Sequence, residues 1–292
     1  MSTVAVRAPG LNTLLRLGRI SNIPTVWTNV VAGTAIAGSV FRVPDLLLIG
    51  AAMSAFYLGG MYLNDFFDRE IDARERPGRP IHAGEISART VAVIGFGLLA
   101  TGAALLAPFG LAAVGWGMLL AAAIVLYDLW HKGNTFGPVI MGLCRALVYL
   151  GTGAAISGGI STALVIGACA LACHVVGLTY AAKQENLNQI GRLWPLAILS
   201  VPMLMALPAL TRNWMVVAAF LLLAIADAVA VRLLARRATP DAVPRAVSGL
   251  IAAICLVDAL AVALAGGSVP LVIACMLGYP LTRLFQKSIP GT

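Results

Sequence analysis

The sequence contains few charged residues: only 11% of its 292 residues are Asp, Glu, Lys or Arg, whereas 60% are hydrophobic. Soluble domains carry about 25% charged residues. The low charge excludes an ordinary soluble enzyme, and it also excludes a disordered chain, which combines high charge with low hydrophobicity. The composition therefore indicates a protein whose solvent is lipid, in which each charge needs a functional or structural reason.

Cysteine and histidine motifs are also missing. The five cysteines lie inside apolar runs and form no Cys-x-x-Cys pair, and the three histidines show no metal-ligand spacing. We interpret the cysteines as small buried side chains. The N-terminal stretch has no continuous apolar segment before a cleavage site, so we expect no signal peptide. No basic stretch alternates with aromatic residues, and we expect no nucleic-acid partner.

Apolar runs recur along the whole chain. A bilayer core of about 30 Å needs about 20 apolar residues per helix. We predict an all-α membrane bundle of nine or ten transmembrane helices, forming a single domain over residues 1–292. The ten candidate spans are 24–42, 45–64, 90–107, 109–128, 136–157, 161–182, 194–211, 213–235, 246–265 and 268–285.

Basic residues occur at alternate connections between these spans. The N-terminus, the 65–89 loop, the connections after the fourth, sixth and eighth spans and the C-terminus hold nearly all of them. The opposite connections hold only Arg42 and Arg212. Because positive loops stay on the cytoplasmic side, both termini and the long loops are predicted to be cytoplasmic. We expect a multi-pass protein of a bacterial-type cytoplasmic (inner) membrane with its site facing the cytoplasm.

Half of the acidic residues are concentrated between residues 65 and 85, after the second span. Asp65, Asp68 and Asp72 fall within about 60° of one another on a helix, with Asn64 beside them. Three carboxylates on one stripe repel one another, so their attraction to positive charge must offset that repulsion. One interpretation is salt bridging to nearby arginines on a solvated face. The other is a Mg²⁺–diphosphate site, in which carboxylates hold the metal and arginines hold phosphate oxygens.

Two motifs resemble the UbiA superfamily of intramembrane prenyltransferases. Asn64-Asp65-x-x-Asp68-x-x-x-Asp72, followed by Arg76-Pro77-x-Arg79-Pro80-Ile81-x-x-Gly84-x-Ile86-Ser87, resembles its first aspartate-rich motif and trailing loop. The segment from Arg19 to Asn29 resembles its first helix. The resemblance implies a helical bundle around a central cavity that transfers an isoprenoid chain from a diphosphate to an acceptor, often aromatic, with Mg²⁺. It implies that Asn64, Asp65, Asp68 and Asp72 bind the metal and that Arg76, Arg79 and Lys132 bind the diphosphate.

The second acidic motif of that superfamily is altered here. The corresponding stretch, 180–192, contains no Asp, and Lys183 stands about where an Asp is expected. Glu185 and Asn188 remain as oxygen ligands, and Arg192 is a further candidate for diphosphate binding. A second Mg²⁺ should bind weakly or be absent, and we expect Lys183 to contact the diphosphate as a point charge. The alternative is that Lys183 only pairs with Glu185 in a site that has lost catalysis.

Polar side chains within the spans provide further candidates. Arg145 could reach a phosphate or the acceptor, or it could form a structural pair with Asp227 or Asp258. Asn29 is a candidate acceptor or prenyl contact, because its amide has no reason to face lipid. The aromatic candidates for shielding an allylic cation are Phe66, Phe67, Tyr149 and Tyr180. Of these, Tyr149 and Tyr180 are also assigned to acceptor or prenyl binding.

These observations predict a Mg²⁺-dependent prenyltransferase that releases pyrophosphate, with a prenyl diphosphate and a small, possibly aromatic acceptor as substrates. Asp65, Asp68, Asp72 and Lys183 are the predicted catalytic residues. The bilayer accommodates the isoprenoid tail, and no obligate protein partner is indicated. The alternative is a non-catalytic or lipid-handling relative, a carrier or transporter, since the second motif is degenerate.

Overall fold

The computed structural model describes residues 10–38, 42–183, 193–236 and 241–291. Within these ranges the regular structure is entirely helical. Short 3-10 helices supplement the α-helices at Ile20–Asn22, Ala107–Phe109, Trp194–Ser200 and Leu207–Ala209. The α-helices are α1 (Leu11–Leu17), α2 (Ile23–Ile36), α3 (Val43–Phe67), α4 (Arg69–Glu75), α5 (Ala88–Leu106), α6 (Leu111–Trp130), α7 (Gly137–Ser157), α8 (Thr162–Lys183), α9 (Val201–Ala206), α10 (Trp214–Arg236), α11 (Ala242–Leu264) and α12 (Val269–Phe285).

Seven of the helices, in the part of the chain that the structure describes, are long and apolar enough to cross a membrane. They correspond to the second to sixth, eighth and ninth predicted spans. Shorter apolar helices stand at the seventh and tenth predicted spans, over Trp194–Ala209 and Val269–Phe285. The first predicted span coincides with α2, which has 14 residues. The predicted all-α bundle is confirmed, and the predicted number of nine or ten spans is approximately consistent with these helices.

Prolines and a glycine account for the shorter spans. In the seventh, Pro195, Pro202 and Pro208 interrupt the helix, because proline lacks the N–H that continues the hydrogen-bond ladder. The first predicted span was expected to continue to residue 42, but α2 ends at Ile36. Gly38 follows with φ of 71°, a left-handed conformation that favours glycine and ends the helix.

Close packing of α3 against α5 depends on glycines that face each other. A Cβ atom on Gly59 would lie 2.9 Å from the carbonyl oxygen of Gly95, and one on Gly95 would lie 2.8 Å from Leu63. Small residues let membrane helices approach until their backbones touch. This contact fixes the end of α3 that carries the acidic motif.

The α11 helix lies at the centre of the bundle, packed against α2, α8, α10 and α12. Two apolar clusters surround a cavity. One is formed mainly by α2, α3, α5, α6 and α7, and the other mainly by α7, α8, α10 and α11. The cavity therefore opens between the two halves of the bundle, where the acidic motif at the end of α3 can reach it.

Candidate functional site

The acidic motif spans the junction of α3 and α4. Asp65 lies in the last turn of α3, Asp68 lies between the two helices, and Asp72 lies on α4. The Asp72 backbone N–H donates to the Asp68 carbonyl at 2.9 Å, so the chain stays nearly helical through the junction. Asn64, Asp65, Asp68 and Asp72 are all less than 9% exposed. The predicted stripe therefore exists, but it is buried rather than a solvated face.

Buried carboxylates need positive or hydrogen-bonding partners, and basic side chains from three parts of the chain supply them. Arg79 and Arg19 donate to Asp65 Oδ1 at 2.9 and 3.4 Å. Lys132 Nζ and His131 Nε2 lie 3.6 and 3.4 Å from Asp68 Oδ2. Two arginines and one lysine thus converge on the motif with a histidine beside them, which matches the electrostatics of a metal–diphosphate site.

Two buried carboxylate oxygens at this cluster have no hydrogen-bond partner. They are Asp65 Oδ2 and Asp128 Oδ2. Asn64 connects the two residues: its amide donates to Asp128 Oδ1 at 3.2 Å and its oxygen accepts from Arg19 at 3.3 Å. Unpaired buried oxygens of this type suit a hard cation. Among the described residues no three His, Cys, Asp or Glu side chains enclose an ion by themselves, so waters or phosphate oxygens would have to complete any coordination shell.

Titration of the cluster follows from its burial. Burial raises the pKa of the Asp72 carboxyl above its usual range, and the Arg79 charge partly opposes this increase. Burial also lowers the pKa of the Arg79 guanidinium, and the neighbouring charges of Arg19 and Arg76 lower it further. Three guanidinium groups that repel one another would be stabilised by an anion placed among them.

A cavity of about 790 Å³ connects this cluster to the interior of the bundle. Apart from two tyrosines, its charged and amide- or hydroxyl-bearing lining residues are Arg19, Asn22, Asn64, Asp68, Glu75, Arg76, Arg79, Asp128, His131, Lys132, Asn134, Thr135, Arg145, Thr179 and Lys183. Its apolar lining includes Val26, Met53, Phe56, Leu120, Ile124, Val148, Val175, Leu178, Val247, Ile251 and Ile254. A cavity with one charged region and one apolar region fits an amphipathic ligand with an anionic head and a hydrocarbon tail.

Lys183, at the end of α8, lines the same cavity as Asp68. Its ammonium donates to the backbone carbonyl of Asn134, in the loop between α6 and α7. Lys132, in that same loop, also lines the cavity. Lys132 beside Asp68 and Lys183 beside Asn134 are therefore both placed to contact an anion in the cavity. Glu185, Asn188 and Arg192 lie outside the described residues, and their predicted roles stay predictions.

Arg145 also lines the cavity, but Asn29 and Tyr149 lie behind its wall. Asp258 accepts hydrogen bonds from Asn29 Nδ2 at 2.8 Å and from Tyr149 Oη at 2.7 Å, and all three side chains are fully buried. Arg145 donates to Asn29 Oδ1 at 2.9 Å. Asn29 and Tyr149 were predicted to touch the acceptor or prenyl chain. The structure instead places their polar groups on Asp258, because a buried carboxylate needs donors.

The aromatic residues that line the cavity differ from those predicted. Tyr180 packs half-buried against the α8–α11 core, and Phe66 and Phe67 also lie outside the lining. Phe66 instead stacks with Arg69, whose guanidinium carbon is 4.6 Å from the ring centroid. The aromatic lining is Phe56, Tyr57 and Tyr127.

Comparison with known proteins decides the family. Residues 25–246 match the UbiA prenyltransferase family. This chain is a member of that family. The resemblance seen in the sequence motifs is thereby confirmed, and so is the multi-pass membrane character that seven apolar helices indicate.

Curated relatives are similar over part of their length. The chain is 30% identical over 141 residues to a digeranylgeranylglyceryl phosphate synthase from Metallosphaera sedula, covering 47% of this chain and 49% of the relative. It is 30% identical over 153 residues to a protoheme IX farnesyltransferase from Exiguobacterium sibiricum, covering 46% and 47%. The match to these relatives thus spans about half of their length.

Solved structures share the fold over nearly the whole chain. A structure described as digeranylgeranylglyceryl phosphate synthase superposes with a TM-score of 0.62 at 20% identity, covering 92% of this chain and 98% of that one. A UbiA homolog from Archaeoglobus fulgidus bound to GPP and Mg²⁺ superposes with a TM-score of 0.52 at 12% identity, covering 94% and 86%. At these identities the likeness establishes the fold.

In this UbiA member the structure places residues in the site that the sequence motifs did not predict. Asp128 and His131 come from the end of α6, and Arg19 and Tyr57 come from elsewhere in the N-terminal half. The spacing of Asp128 and His131 by three residues places both on one helix face, which was a usable signal. Tyr57 lies inside an apolar helix without charged neighbours, and nothing in the sequence distinguishes it from a core residue.

Proposed function

We propose that this protein is an intramembrane prenyltransferase that moves an isoprenoid chain from an allylic prenyl diphosphate to a small acceptor and releases pyrophosphate. The observation that supports it best is the meeting of a buried carboxylate and cation cluster with an apolar cavity of about 790 Å³. The cluster matches a diphosphate head, and the apolar lining matches a hydrocarbon tail. The Archaeoglobus fulgidus homolog bound to GPP and Mg²⁺ is consistent with this proposal.

The residues present fit Mg²⁺ at the acidic motif. Its protein ligands would come from Asn64, Asp65, Asp68, Asp72 and Asp128, whose Oδ2 is buried and unpaired in the described structure, with no more than two carboxylates at once and with waters or phosphate oxygens completing the shell. When bound, the metal supplies positive charge to the phosphate oxygens. Predicted ligands on the other side, Glu185 and Asn188, follow Lys183 and lie outside the described residues.

Cationic side chains of the chain itself bind and orient the diphosphate. Arg76, Arg79 and Lys132 line the cavity that Asp68 also lines, and Lys183 at the end of α8 lines it too. Charges placed before reaction at the leaving group stabilise it as negative charge develops. The C1–O bond of the prenyl chain then breaks with its electron pair on pyrophosphate, C1 forms a new bond with the acceptor, and the acceptor loses one proton.

Aromatic and apolar walls protect the allylic cation that this step generates. Phe56, Tyr57 and Tyr127 line the cavity, and aromatic rings attract positive charge. The apolar side chains exclude water that would otherwise capture the cation. These three residues replace the predicted set of Phe66, Phe67, Tyr149 and Tyr180.

The acceptor and the orientation in the membrane are parts of the same proposal. The names of the relatives refer to a glyceryl phosphate in one case and to protoheme in another. They give no support to the predicted aromatic acceptor. The site faces the cytoplasm of a cytoplasmic membrane, since the positive loops border the acidic motif.

The direct test is Mg²⁺-dependent release of pyrophosphate from allylic diphosphates of different lengths by the purified protein. Asp68→Ala is expected to lower the rate by about 100-fold or more, because charge at the leaving group is lost. Asp45→Ala is the matched control, since Asp45 pairs with Arg42 at the opposite end of α3. Equal turnover by Asp68→Ala and wild type would reject the site. Co-purified lipids, identified by mass spectrometry, distinguish a prenyl diphosphate or prenylated product from the bulk phospholipid expected of a non-catalytic relative.

A further inference from the structure

Arg145 is a cation in the cavity wall that lies apart from the acidic motif. It belongs to α7, and its guanidinium carbon lies 5.6 Å from the centroid of the Tyr57 ring. Tyr57 precedes Asn64 by seven residues on α3, which corresponds to about 10 Å of helical rise. The ring that Arg145 contacts therefore belongs to a residue about two helical turns before the start of the acidic motif.

Within the described chain no carboxylate oxygen lies at ion-pair distance from the Arg145 guanidinium. Its two hydrogen bonds go to neutral oxygens, Asn29 Oδ1 at 2.9 Å and Thr25 Oγ1 at 3.1 Å. A guanidinium carries five N–H groups, so part of its donor capacity is left for a ligand. A cation surrounded by apolar protein is costly unless an anion or several acceptors satisfy it.

Asp258 stabilises this arrangement from behind the cavity wall. Both oxygens of Asp258 lie 2.8 Å from Asn29 Nδ2. Because the amide nitrogen of Asn29 is held on Asp258, its carbonyl oxygen must point at Arg145. Thr28 and Tyr149 also donate to Asp258, at 2.5 and 2.7 Å, which leaves the carboxylate little freedom to move. The network therefore aims the guanidinium into the cavity without neutralising it directly.

The group that meets Arg145 is neither the diphosphate nor the hydrocarbon tail. A diphosphate held by Arg79 and Lys132, the cations that pair with Asp65 and Asp68, lies at the polar end of the cavity, and a hydrocarbon tail has no favourable contact with a cation. The acceptor must enter the same cavity to reach C1 of the prenyl chain. An acceptor that carries a negative group a few ångströms from its nucleophilic atom would place that group at Arg145.

We propose that Arg145 binds a phosphate or carboxylate group of the acceptor, with Asn29 and Asp258 as positioning residues that orient the guanidinium. This inference rests on the proposed prenyl-transfer function and adds the chemical class of the second substrate. It assigns to Arg145 a role in acceptor choice rather than in holding the diphosphate.

The test uses two pairs of acceptors that differ in charge. One pair is an isoprenyl glyceryl phosphate and the uncharged isoprenyl glycerol, and the other is a hydroxybenzoate and the corresponding hydroxybenzamide. The wild type is expected to use the charged member of at least one pair with the lower KM. Arg145→Gln is expected to raise that KM at least about tenfold, as for loss of a charged hydrogen bond. The KM for the prenyl diphosphate and the KM for the uncharged acceptor should change less than about twofold.

Three further variants separate binding from folding. Arg145→Lys keeps the charge without the planar fork and should fall between wild type and Arg145→Gln. Asp258→Asn should raise the KM of the charged acceptor alone, a selectivity that a merely structural role would not produce. In the double variant of Arg145→Gln and Asp258→Asn, the second change should add little, because both act through one guanidinium. Arg212→Gln, at an exposed arginine outside the cavity, is the matched control.

The outcomes distinguish this inference from the proposed function. If the wild type releases no pyrophosphate with any diphosphate and acceptor, the proposed function and this inference both fail. If the wild type is active but Arg145→Gln raises the KM of the diphosphate alone, or of neither substrate, only the inference fails. If Arg145→Gln does not fold, Arg145→Lys and Asp258→Asn provide the test. An unchanged KM for the charged acceptor in both variants would overturn the inference.

Discussion

Asp258 and Asp227 are both buried aspartates in membrane-crossing helices, yet replacing Asp258 with leucine should destabilise the protein far more than the same replacement of Asp227. Asp258, on α11, is fully buried and accepts hydrogen bonds from Thr28, Asn29 and Tyr149. Asp227, on α10, is 4% exposed, and neither of its oxygens has a hydrogen-bond partner in the described structure. The two aspartates thus differ in the number of buried donors that depend on them.

The cost of Asp258→Leu follows from the donors that it would leave unpaired. Thr28 can keep its other hydrogen bond, to the Thr25 carbonyl at 3.2 Å, but Asn29 and Tyr149 lose their acceptor. A buried donor without a partner costs about 1–3 kcal/mol, so the free energy of unfolding should fall by about 2–6 kcal/mol. That is a large part of the 5–15 kcal/mol of stability that folded proteins usually have.

Asp227→Leu should change the free energy of unfolding by less than about 1 kcal/mol, or increase it. The carboxylate lies 3.9 Å from His174 Nδ1, beyond hydrogen-bond distance, so its burial has little compensation. Replacing poorly compensated buried charges with apolar side chains is often neutral or stabilising.

The assay is equilibrium unfolding in mixed detergent micelles, followed by helical circular dichroism as the fraction of SDS increases. Both variants remove the same carboxylate and add the same side chain, so each is the control of the other. Equal losses for the two variants, or a larger loss for Asp227→Leu, would refute the argument that buried donors decide the cost.

Three other predictions concern the site and the bundle. Lys183→Asp should abolish most pyrophosphate release, because it places a carboxylate where the diphosphate needs a cation. Asp72→Asn should raise the Tm of the metal-free protein at about pH 7, because burial raises the pKa of Asp72 and disfavours its ionised form. The gain should shrink towards about pH 4, where the protonated carboxyl fits the fold. Gly59→Ala should cost about 1–3 kcal/mol of unfolding free energy, because its Cβ would lie 2.9 Å from the Gly95 carbonyl.

Each of these predictions has an outcome that contradicts it. Faster turnover by Lys183→Asp would show a degenerate enzyme repaired by a family-type carboxylate. A Tm difference for Asp72→Asn that grows on acidification would mean that the carboxylate stabilises the fold. Gly97→Ala is the control for Gly59→Ala, because a Cβ on Gly97 would meet no atom within 4 Å. Equal losses for these two glycines would refute the close packing of α3 and α5.

The sequence by itself indicated that the protein folds in a lipid membrane, and it located the acidic motif. The free energy of transfer into a bilayer depends on the composition of about 20 consecutive residues, so apolar spans can be located without coordinates. The charge bias of the loops adds a prediction of orientation. The spacing of Asp65, Asp68 and Asp72 set their common face, since consecutive residues on a helix are related by a fixed rotation. The sequence located the helix ends less accurately: prolines divide the seventh predicted span into three short helices.

Only the tertiary structure decided which polar groups meet across helices. Asn29 and Tyr149 were expected in the cavity, but Asp258, 229 and 109 residues away, holds them behind its wall. Arg145 was compatible with a phosphate, an acceptor or a structural pair until the packing of α2, α7 and α11 placed it. Spacing along one helix is local geometry, whereas contacts between distant helices depend on how side-chain shapes pack throughout the bundle, and no single segment of sequence specifies that.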